Sequence, residues 1–199
     1  MRRYLAFLAV AGLLAAGSVA WGQAPAKRIR GSVQSLDGNT LTVTTNDGET
    51  DKIALAPDYT VTAIFPTTAD QVKPGRKIGI VGFGPPAQQR AAVISIFPEG
   101  QNVTEVQFPW DSAPDSTMTN GPITADVTGA DGRSLTVTIK GQPVQVSVPP
   151  GAIVQTSEPG TPAQLVPGAK VIVFAQQAAD GTLSSSRVGV GKGGYTPAN

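Results

Sequence analysis

The sequence predicts an all-β fold made of two small antiparallel barrels in tandem. Three observations predict it. Gly and Pro are frequent (23 and 17 of 199 residues), apolar and polar residues alternate along short segments, and one pattern of segments occurs twice. Frequent turn formers, with 40% hydrophobic and 6% aromatic residues, are typical of many short strands rather than of disorder.

Residues 1–20 have the layout of a secretory signal peptide. Arg2 and Arg3 are basic, residues 4–16 are an unbroken apolar run, and the segment ends on small residues. We expect cleavage after Ala20, with Ala26 as the alternative site. An uncleaved anchor is less favoured, because the apolar run is shorter than the roughly 20 residues that a spanning helix needs. The sequence therefore predicts a bacterial periplasmic or secreted protein, with no stable membrane span once the signal peptide is removed.

The remaining chain contains an internal duplication. The eight residues from Asp37 (DGNTLTVT) align with those from Asp131 (DGRSLTVT), 94 positions later. The segment from Gln71 (QVKPGRKI) aligns with that from Gln164 (QLVPGAKV), 93 positions later. A third match, ISI at Ile94, follows in the same order, so the two copies are in register.

Each copy is predicted to form six short strands, because its apolar residues alternate with Thr and other polar residues. Asp-Gly pairs at 37–38, 47–48 and 131–132 are typical of tight hairpin turns. A short segment before each Pro-Gly, 69–72 and 163–166, is predicted to form one helical turn. The predicted strands are 29–36, 39–46, 49–55, 58–65, 76–83 and 90–97, then 122–129, 133–140, 143–149, 151–156, 169–175 and 183–190.

Six short antiparallel strands with one helical turn fit a small OB-like barrel, and a sandwich is the alternative. Closure is favoured because it removes exposed strand edges. An outer-membrane barrel is disfavoured, since its strands are longer and its aromatic girdles need more aromatic residues. The predicted boundaries are 27–98 for the first module, 99–120 for a Pro-, Ser- and Thr-rich connector, 121–191 for the second module and 192–199 for a flexible tail.

The repeat pattern of strand, Asp-Gly, Leu-Thr-Val, Pro-Gly and apolar strand resembles a family of exported bacterial domains of unknown function with OB-like barrels. The segment Pro109-Trp110-Asp111, followed by residues 116–120 (STMTN), is similar to a proteobacterial subgroup with two modules. That subgroup is sometimes called a metal ABC transporter permease. This chain does not support the label, because beyond the leader it has no apolar run long enough to span a membrane. The resemblance implies fold and compartment, and no catalytic residues.

Composition excludes several kinds of chemistry. The chain has no Cys and no His, so disulfides, Cys or His metal sites, Cys nucleophiles and His-dependent triads are impossible. Without Arg2 and Arg3, the 15 basic residues fall to 13 against 14 acidic ones, and nucleic acid is not an expected partner. We therefore predict no enzyme activity, no cofactor and no metal site.

Motifs that suggest catalysis or ion binding have simpler interpretations. The carboxylates of residues 46–51 lack the spacing of a calcium loop and are predicted to form a solvated hairpin. The Gly-rich run 189–194 has no following helix, as a phosphate loop would require, and is predicted to be a tail. A carboxylate pair would have to come from four residues that nothing in the sequence brings together: Asp58, Asp70, Asp126 and Glu158.

Four aromatic residues are the candidate ligand-binding residues. Tyr59, Phe65 and Phe83 lie in the first copy, where aromatics on an OB-like face stack against ligands; filling barrel interiors or ends is the alternative role. Trp110 lies in the connector, where either packing onto a barrel or stacking on a ligand would explain it. The copies share few of these residues, so function is expected in what the repeat does not share.

These observations predict an exported periplasmic binding or interaction protein without catalysis. Its partner would be an envelope component, another protein or a small molecule. The alternative is a carboxylate-based divalent cation binder or a minor enzyme of the cell envelope.

Overall fold

A computed structural model describes residues 27–129 and 132–198, so the predicted signal peptide lies outside the described residues. The all-β prediction is confirmed. Three single 3₁₀ turns, Ala69–Gln71, Pro162–Gln164 and Lys192–Gly194, accompany the strands. The described strands are β1 Lys27–Asp37, β2 Thr40–Thr45, β3 Thr50–Pro66, β4 Lys77–Phe83, β5 Gln88–Ile96, β6 Val106–Pro109, β7 Ser116–Gly129, β8 Gly132–Ile139, β9 Gln142–Val148, β10 Ile153–Pro159, β11 Lys170–Gln177 and β12 Leu183–Gly191.

Most of the predicted strands and turns are present within two or three residues of their predicted limits. Gly38, Gly48 and Gly132 have φ values of 58°, 86° and 105°, as the predicted hairpin turns require. The first two 3₁₀ turns lie where one helical turn was expected in each copy. The separate strands predicted at 49–55 and 58–65 are one continuous strand, β3.

Ten of the strands close into two five-stranded rings. In barrel 1, β12, β11, β1, β2 and β3 follow one another, and a parallel pairing of β3 with β12 closes the ring. In barrel 2, β5, β4, β7, β8 and β9 follow one another, and a parallel pairing of β5 with β9 closes it. The strand order is the same in both rings, as expected for two copies of one module.

Neither barrel is built from one contiguous half of the chain, unlike the predicted modules 27–98 and 121–191. Barrel 1 takes β1, β2 and β3 from the first half and β11 and β12 from the second. Barrel 2 takes β7, β8 and β9 from the second half and β4 and β5 from the first. We call this arrangement strand exchange. The predicted boundaries assumed that each copy closes on itself, whereas two strands of each copy complete the ring of the other.

The two barrels join where β3 and β10 pair. The last part of β3 runs antiparallel to β10, with Phe65 opposite Thr156 and Ala63 opposite Glu158. β10 also pairs in parallel with β5, with Val154 opposite Ile94. All twelve strands therefore belong to one continuous sheet in the described part of the chain.

Each barrel has its own apolar interior, and one helical turn closes one end of it. The first 3₁₀ turn closes barrel 2, and the second closes barrel 1. Val72, next to the first 3₁₀ turn, is buried with the core of barrel 2. Leu165, next to the second, is buried with the core of barrel 1. The exchange therefore includes each helical turn together with the two strands that follow it.

Arg133 of β8 fixes the first helical turn against barrel 2. Its guanidinium donates to the carbonyl oxygens of Ala69 and Val72 and to both carboxylate oxygens of Asp126. The hydrogen bond to Asp126 raises the pKa of Arg133. Because this arginine is always charged and binds in a planar fork, it holds a segment of the first half onto a strand of the second.

The predicted connector, 99–120, contains strand structure. β6 and the beginning of β7 pair in antiparallel fashion, with Phe108 opposite Met118. The same part of β7 pairs with β4 on its other side, with Ser116 opposite Phe83. The segment therefore extends the outer surface of barrel 2 as well as joining the copies. Within the described residues, no helix is both long enough and apolar enough to cross a membrane.

Candidate ligand-binding site

A cleft of about 260 Å³ lies along the seam between the barrels. Strand β3 contributes Thr60, Thr62 and Ile64, and β10 contributes Gln155, Thr156 and Ser157. Because β3 and β10 come from different halves, the cleft exists only where the two copies meet. Its other lining residues are Ser95, Phe97, Gln101, Ile172, Phe174, Arg187, Val188 and Gly189.

The cleft combines aromatic walls with hydroxyl and amide groups. Phe97 and Phe174 are half-buried and supply the apolar surface. The hydroxyl of Thr156 donates to the carbonyl oxygen of Ile96 at 3.0 Å, which ties β10 to β5. Arg187 is the one ionisable side chain among the lining residues. Such a surface suits binding of a small polar molecule, because a small number of polar groups on an apolar wall is enough to fix the orientation of a ligand.

Gln155 connects this cleft to the end of the described chain. It is only 1% exposed, and its amide nitrogen donates to the Ser95 hydroxyl at 2.9 Å. Its side-chain oxygen accepts from the Tyr195 hydroxyl at 3.0 Å and from the backbone nitrogen of Ala198 at 3.1 Å. Burial raises the pKa of the Tyr195 hydroxyl, so this group remains a donor at neutral pH.

Residues 192–198 therefore do not have the free conformation predicted for a flexible tail. Lys192 pairs with Glu158 at 2.6 Å, and its ammonium lies 5.0 Å from the centre of the Phe65 ring. The hydrogen bonds to Gln155 hold the last described residues against β10. A Gly-rich sequence without periodicity carries no signal of the buried Gln155 amide that these residues contact.

Replacing Gln155 by Leu is expected to lower the free energy of unfolding by about 1–3 kcal/mol, because it leaves buried partners without their hydrogen bonds. It should also release residues 195–198, since both of their contacts to this amide are lost. Urea unfolding measures the first effect, and the rate of carboxypeptidase trimming measures the second. Gln145→Leu, at an exposed position on β9, is the control. Equal trimming of parent and Gln155→Leu would show that other contacts hold the tail.

The four aromatic residues predicted to bind ligand do not come together. Tyr59 packs against the core of barrel 1 and borders a separate cleft beside Pro98 and Glu158. Phe65 lies beside Lys192, and Phe83 ends β4 in barrel 2, opposite Ser116. None of the four lines the inter-barrel cleft.

Trp110 packs between the barrels, which matches the first of the two roles considered for it. It is 9% exposed and contacts Val81, Val93 and Met118 on the outer surface of barrel 2. The guanidinium of Arg28, on β1 of barrel 1, lies 3.7 Å from the centre of the indole ring. Such a cation–π contact stabilises by about 0.5–2 kcal/mol. Trp110 therefore fixes one barrel against the other.

Asp111 completes this contact by pairing with Arg30 at 2.8 Å and with Arg28 at 3.4 Å. Burial acts to raise the pKa of the Asp111 carboxyl, but the hydrogen bonds and charges of Arg30 and Arg28 together outweigh it. The native pKa is therefore below the ordinary value of 3.8. A carboxylate with a lowered pKa stabilises the fold above its unfolded pKa, and that contribution disappears as the pH falls through the native pKa.

Asp111→Asn is accordingly expected to reduce stability at pH 7 by a small amount, about 0.2–1 kcal/mol, because the carboxylate is partly exposed. The difference between parent and variant should shrink as the pH falls below 3.8 and vanish below the native pKa. Melting temperatures of both proteins across this acidic range measure it. A difference that stays constant down to the lowest pH would contradict the assigned ion pairs.

Most of the carboxylates considered for catalysis or cation binding have partners. Asp126 pairs with Arg133 and Glu158 with Lys192, while Asp70 accepts from the Gln71 amide. In the hairpin 46–51, Asp51 pairs with Lys27. Residues 27–129 and 132–198 contain no group of three carboxylates placed to hold a metal ion.

Sequence analysis missed Phe97, Phe174 and Arg187 as candidate site residues. Each lies at the end or the break of a strand, where alternation does not show which neighbour it will face. The alignment of the two copies places Phe174 on β11. It does not show that Phe174 lies near β10. Comparison with protein-family models, with curated proteins and with solved structures finds no match to this chain.

Proposed function

We propose that the protein is an exported, periplasmic binding protein without catalytic activity, and that its ligand binds in the inter-barrel cleft. The observation that carries the proposal is the lining of this cleft. It joins aromatic surface from Phe97 and Phe174 to hydroxyls and amides from both copies, and its one ionisable residue is an arginine. Arginine does not exchange protons near neutral pH, so the cleft favours recognition over acid–base chemistry.

Two features of the chain support the proposal that it is an exported binding protein. The strand order, with its parallel closing pair and one helical turn before the fourth strand of each ring, is compatible with two OB-type barrels, which commonly serve as binding scaffolds. The layout of residues 1–20 favours export. A cleft of about 260 Å³ is slightly smaller than pockets for drug-sized ligands, which favours a small molecule.

A thermal-shift experiment on the mature chain tests the proposed site. Glucose, N-acetylglucosamine, glucuronate and glutamate are added separately at millimolar concentration. Occupancy at ten times Kd stabilises the native state by about 1.4 kcal/mol, which corresponds to a rise in melting temperature of about 3–5 °C. At least one of these compounds is expected to produce such a rise.

A matched pair of variants then locates the binding. Thr62→Tyr places a large ring in the cleft from β3, whereas Thr44→Tyr makes the same change at an exposed position on β2. The shift should be lost in Thr62→Tyr and retained in Thr44→Tyr. A panel that produces no shift, or a shift that Thr62→Tyr leaves intact, would overturn the proposed site.

A further inference from the structure

The pairing of β3 with β12 is interrupted beside the cleft. Ser185 lies opposite Leu55, and the next partners are Arg187 and Thr60. Residues 56–59 of β3 and residue 186 of β12 therefore have no partner in this ladder. Such a bulge redirects the side chains next to it, and Arg187 is the first residue after the break.

Neighbouring strands hold Arg187 in place. Its guanidinium lies 5.0 Å from the centre of the Phe174 ring on β11, and its backbone nitrogen donates to the buried Ser185 hydroxyl at 3.1 Å. A guanidinium that stacks on an aromatic face is pre-organised for a bidentate contact with an anion. The arrangement limits the conformations that Arg187 has to lose when it binds.

Among residues 27–129 and 132–198, no carboxylate forms an ion pair with Arg187. The described part of the chain contains ion pairs of Lys27, Arg28, Arg30, Arg76, Arg133 and Lys192. Arg187 is in none of them, and its side chain is exposed to solvent. An arginine held against an aromatic ring, with its charge unpaired, offers a ready partner to an incoming carboxylate or phosphate.

Arg187 and Phe174 also separate two clefts and belong to both. On one side is the inter-barrel cleft. On the other is a cleft of about 410 Å³ lined by Ala54 to Ala56, Gln176 and Ser184 to Ser186. Thr60 lines the first cleft together with Arg187, and Ser184 and Ser186 line the second. A ligand with hydroxyl groups and one anionic group matches these neighbours.

We propose that Arg187 binds the anionic group of a small hydroxylated acid, such as a sugar acid or a sugar phosphate. This inference rests on the proposed function, since it names the class of ligand for the same cleft. The anionic group pairs with the guanidinium at the break in the ladder. The hydroxylated part lies in the inter-barrel cleft, where Thr62, Ser157 and Gln101 supply hydrogen-bonding groups.

Isothermal titration of the mature chain with glucose, glucuronate and glucose 6-phosphate tests the inference. The three share one sugar ring and differ in the group that Arg187 would bind. At least one of the two acids is expected to bind about tenfold or more tightly than glucose, as a charge-assisted hydrogen bond allows. The preferred acid identifies whether a carboxylate or a phosphate is recognised.

Variants assign the preference to Arg187. Arg187→Gln should remove the tenfold preference, so that the acids bind no more tightly than glucose does to the same variant, whereas Arg187→Lys should keep part of it, because the charge remains without the fork. Arg90→Gln, at an exposed position of β5 outside the cleft, should bind like the parent. Circular dichroism and melting temperature confirm that each variant is folded, and Arg187→Lys carries the test if Arg187→Gln does not fold.

The outcomes separate the two proposals. Equal binding of glucose and both acids, unaffected by Arg187→Gln but lost in Thr62→Tyr, would overturn the role of Arg187 and leave the cleft as the binding site. A preference for acids that persists in both Arg187 variants would also overturn that role. Failure of all three compounds to bind the parent would count against the proposed function and the inference together.

Discussion

Residues 27–101 and 102–199, produced as separate chains, are each expected to fail to form a stable monomeric barrel. The first fragment holds three strands of barrel 1 and two of barrel 2, and the second holds the complement. Each would expose the apolar residues that the other covers, such as Val72 and Leu165. Small domains have only a narrow margin of stability, so the loss of these contacts is expected to prevent folding. Each fragment alone should therefore be unfolded or associated with a second copy.

Mixing the fragments in equal amounts should restore the complete fold, because strand exchange supplies every missing neighbour. Size-exclusion chromatography with light scattering reports the assembly, and far-UV circular dichroism reports the strands. The uncut chain is the control. If either fragment alone were a folded monomer with a cooperative thermal transition, the halves would be able to close on themselves and the exchanged pairing would be wrong.

Leu41→Ala and Leu135→Ala are each expected to lower the free energy of unfolding by about 2–5 kcal/mol. Both variants should unfold in one common transition. Leu41 is fully buried in barrel 1 and Leu135 in barrel 2, at equivalent positions of the repeat. In a chain of independent modules, each substitution would destabilise only its own module. Here each barrel needs strands from both halves, so loss of either barrel removes partners from the other.

Calorimetry and urea unfolding followed by circular dichroism measure this coupling. Val127→Ala removes part of an aliphatic side chain that is 61% exposed and should change stability by less than about 0.5 kcal/mol. Two separate transitions, of which Leu41→Ala moves one and Leu135→Ala the other, would contradict the coupled fold. A single transition lowered by both variants would support it.

Much of the local structure was predictable from the chain itself. Alternation of Leu, Val and Ile with Thr predicts strands such as β2 and β8, because a strand presents successive side chains to opposite faces. Asp-Gly pairs predict the hairpins, since Gly38 and Gly48 adopt positive φ at little steric cost. The Pro-Gly pairs predict where each helical turn ends. These signals are local, so the surrounding fold does not change them.

The site was less predictable, because its residues come from both halves of the chain. Tyr59, Phe65, Phe83 and Trp110 were selected as unmatched aromatics, yet they pack at separate places. Phe97, Phe174 and Arg187 line one cleft because the end of β5 lies beside β11 and β12 at the seam. Residues from the two halves that approach only after the barrels assemble share no spacing or motif in the sequence.

By itself, the sequence determined that the protein is all-β and where most strands and turns lie, and it predicted a repeated module. Only the tertiary structure decided which strands share a barrel. The pattern of β4 and β5 is similar to that of β11 and β12, so local patterning does not show which ring each pair joins. The choice is made by β3, which continues as one extended strand to Pro66 and pairs with β10. The chain is thereby carried across to the other barrel, and the cleft forms where the two crossings meet.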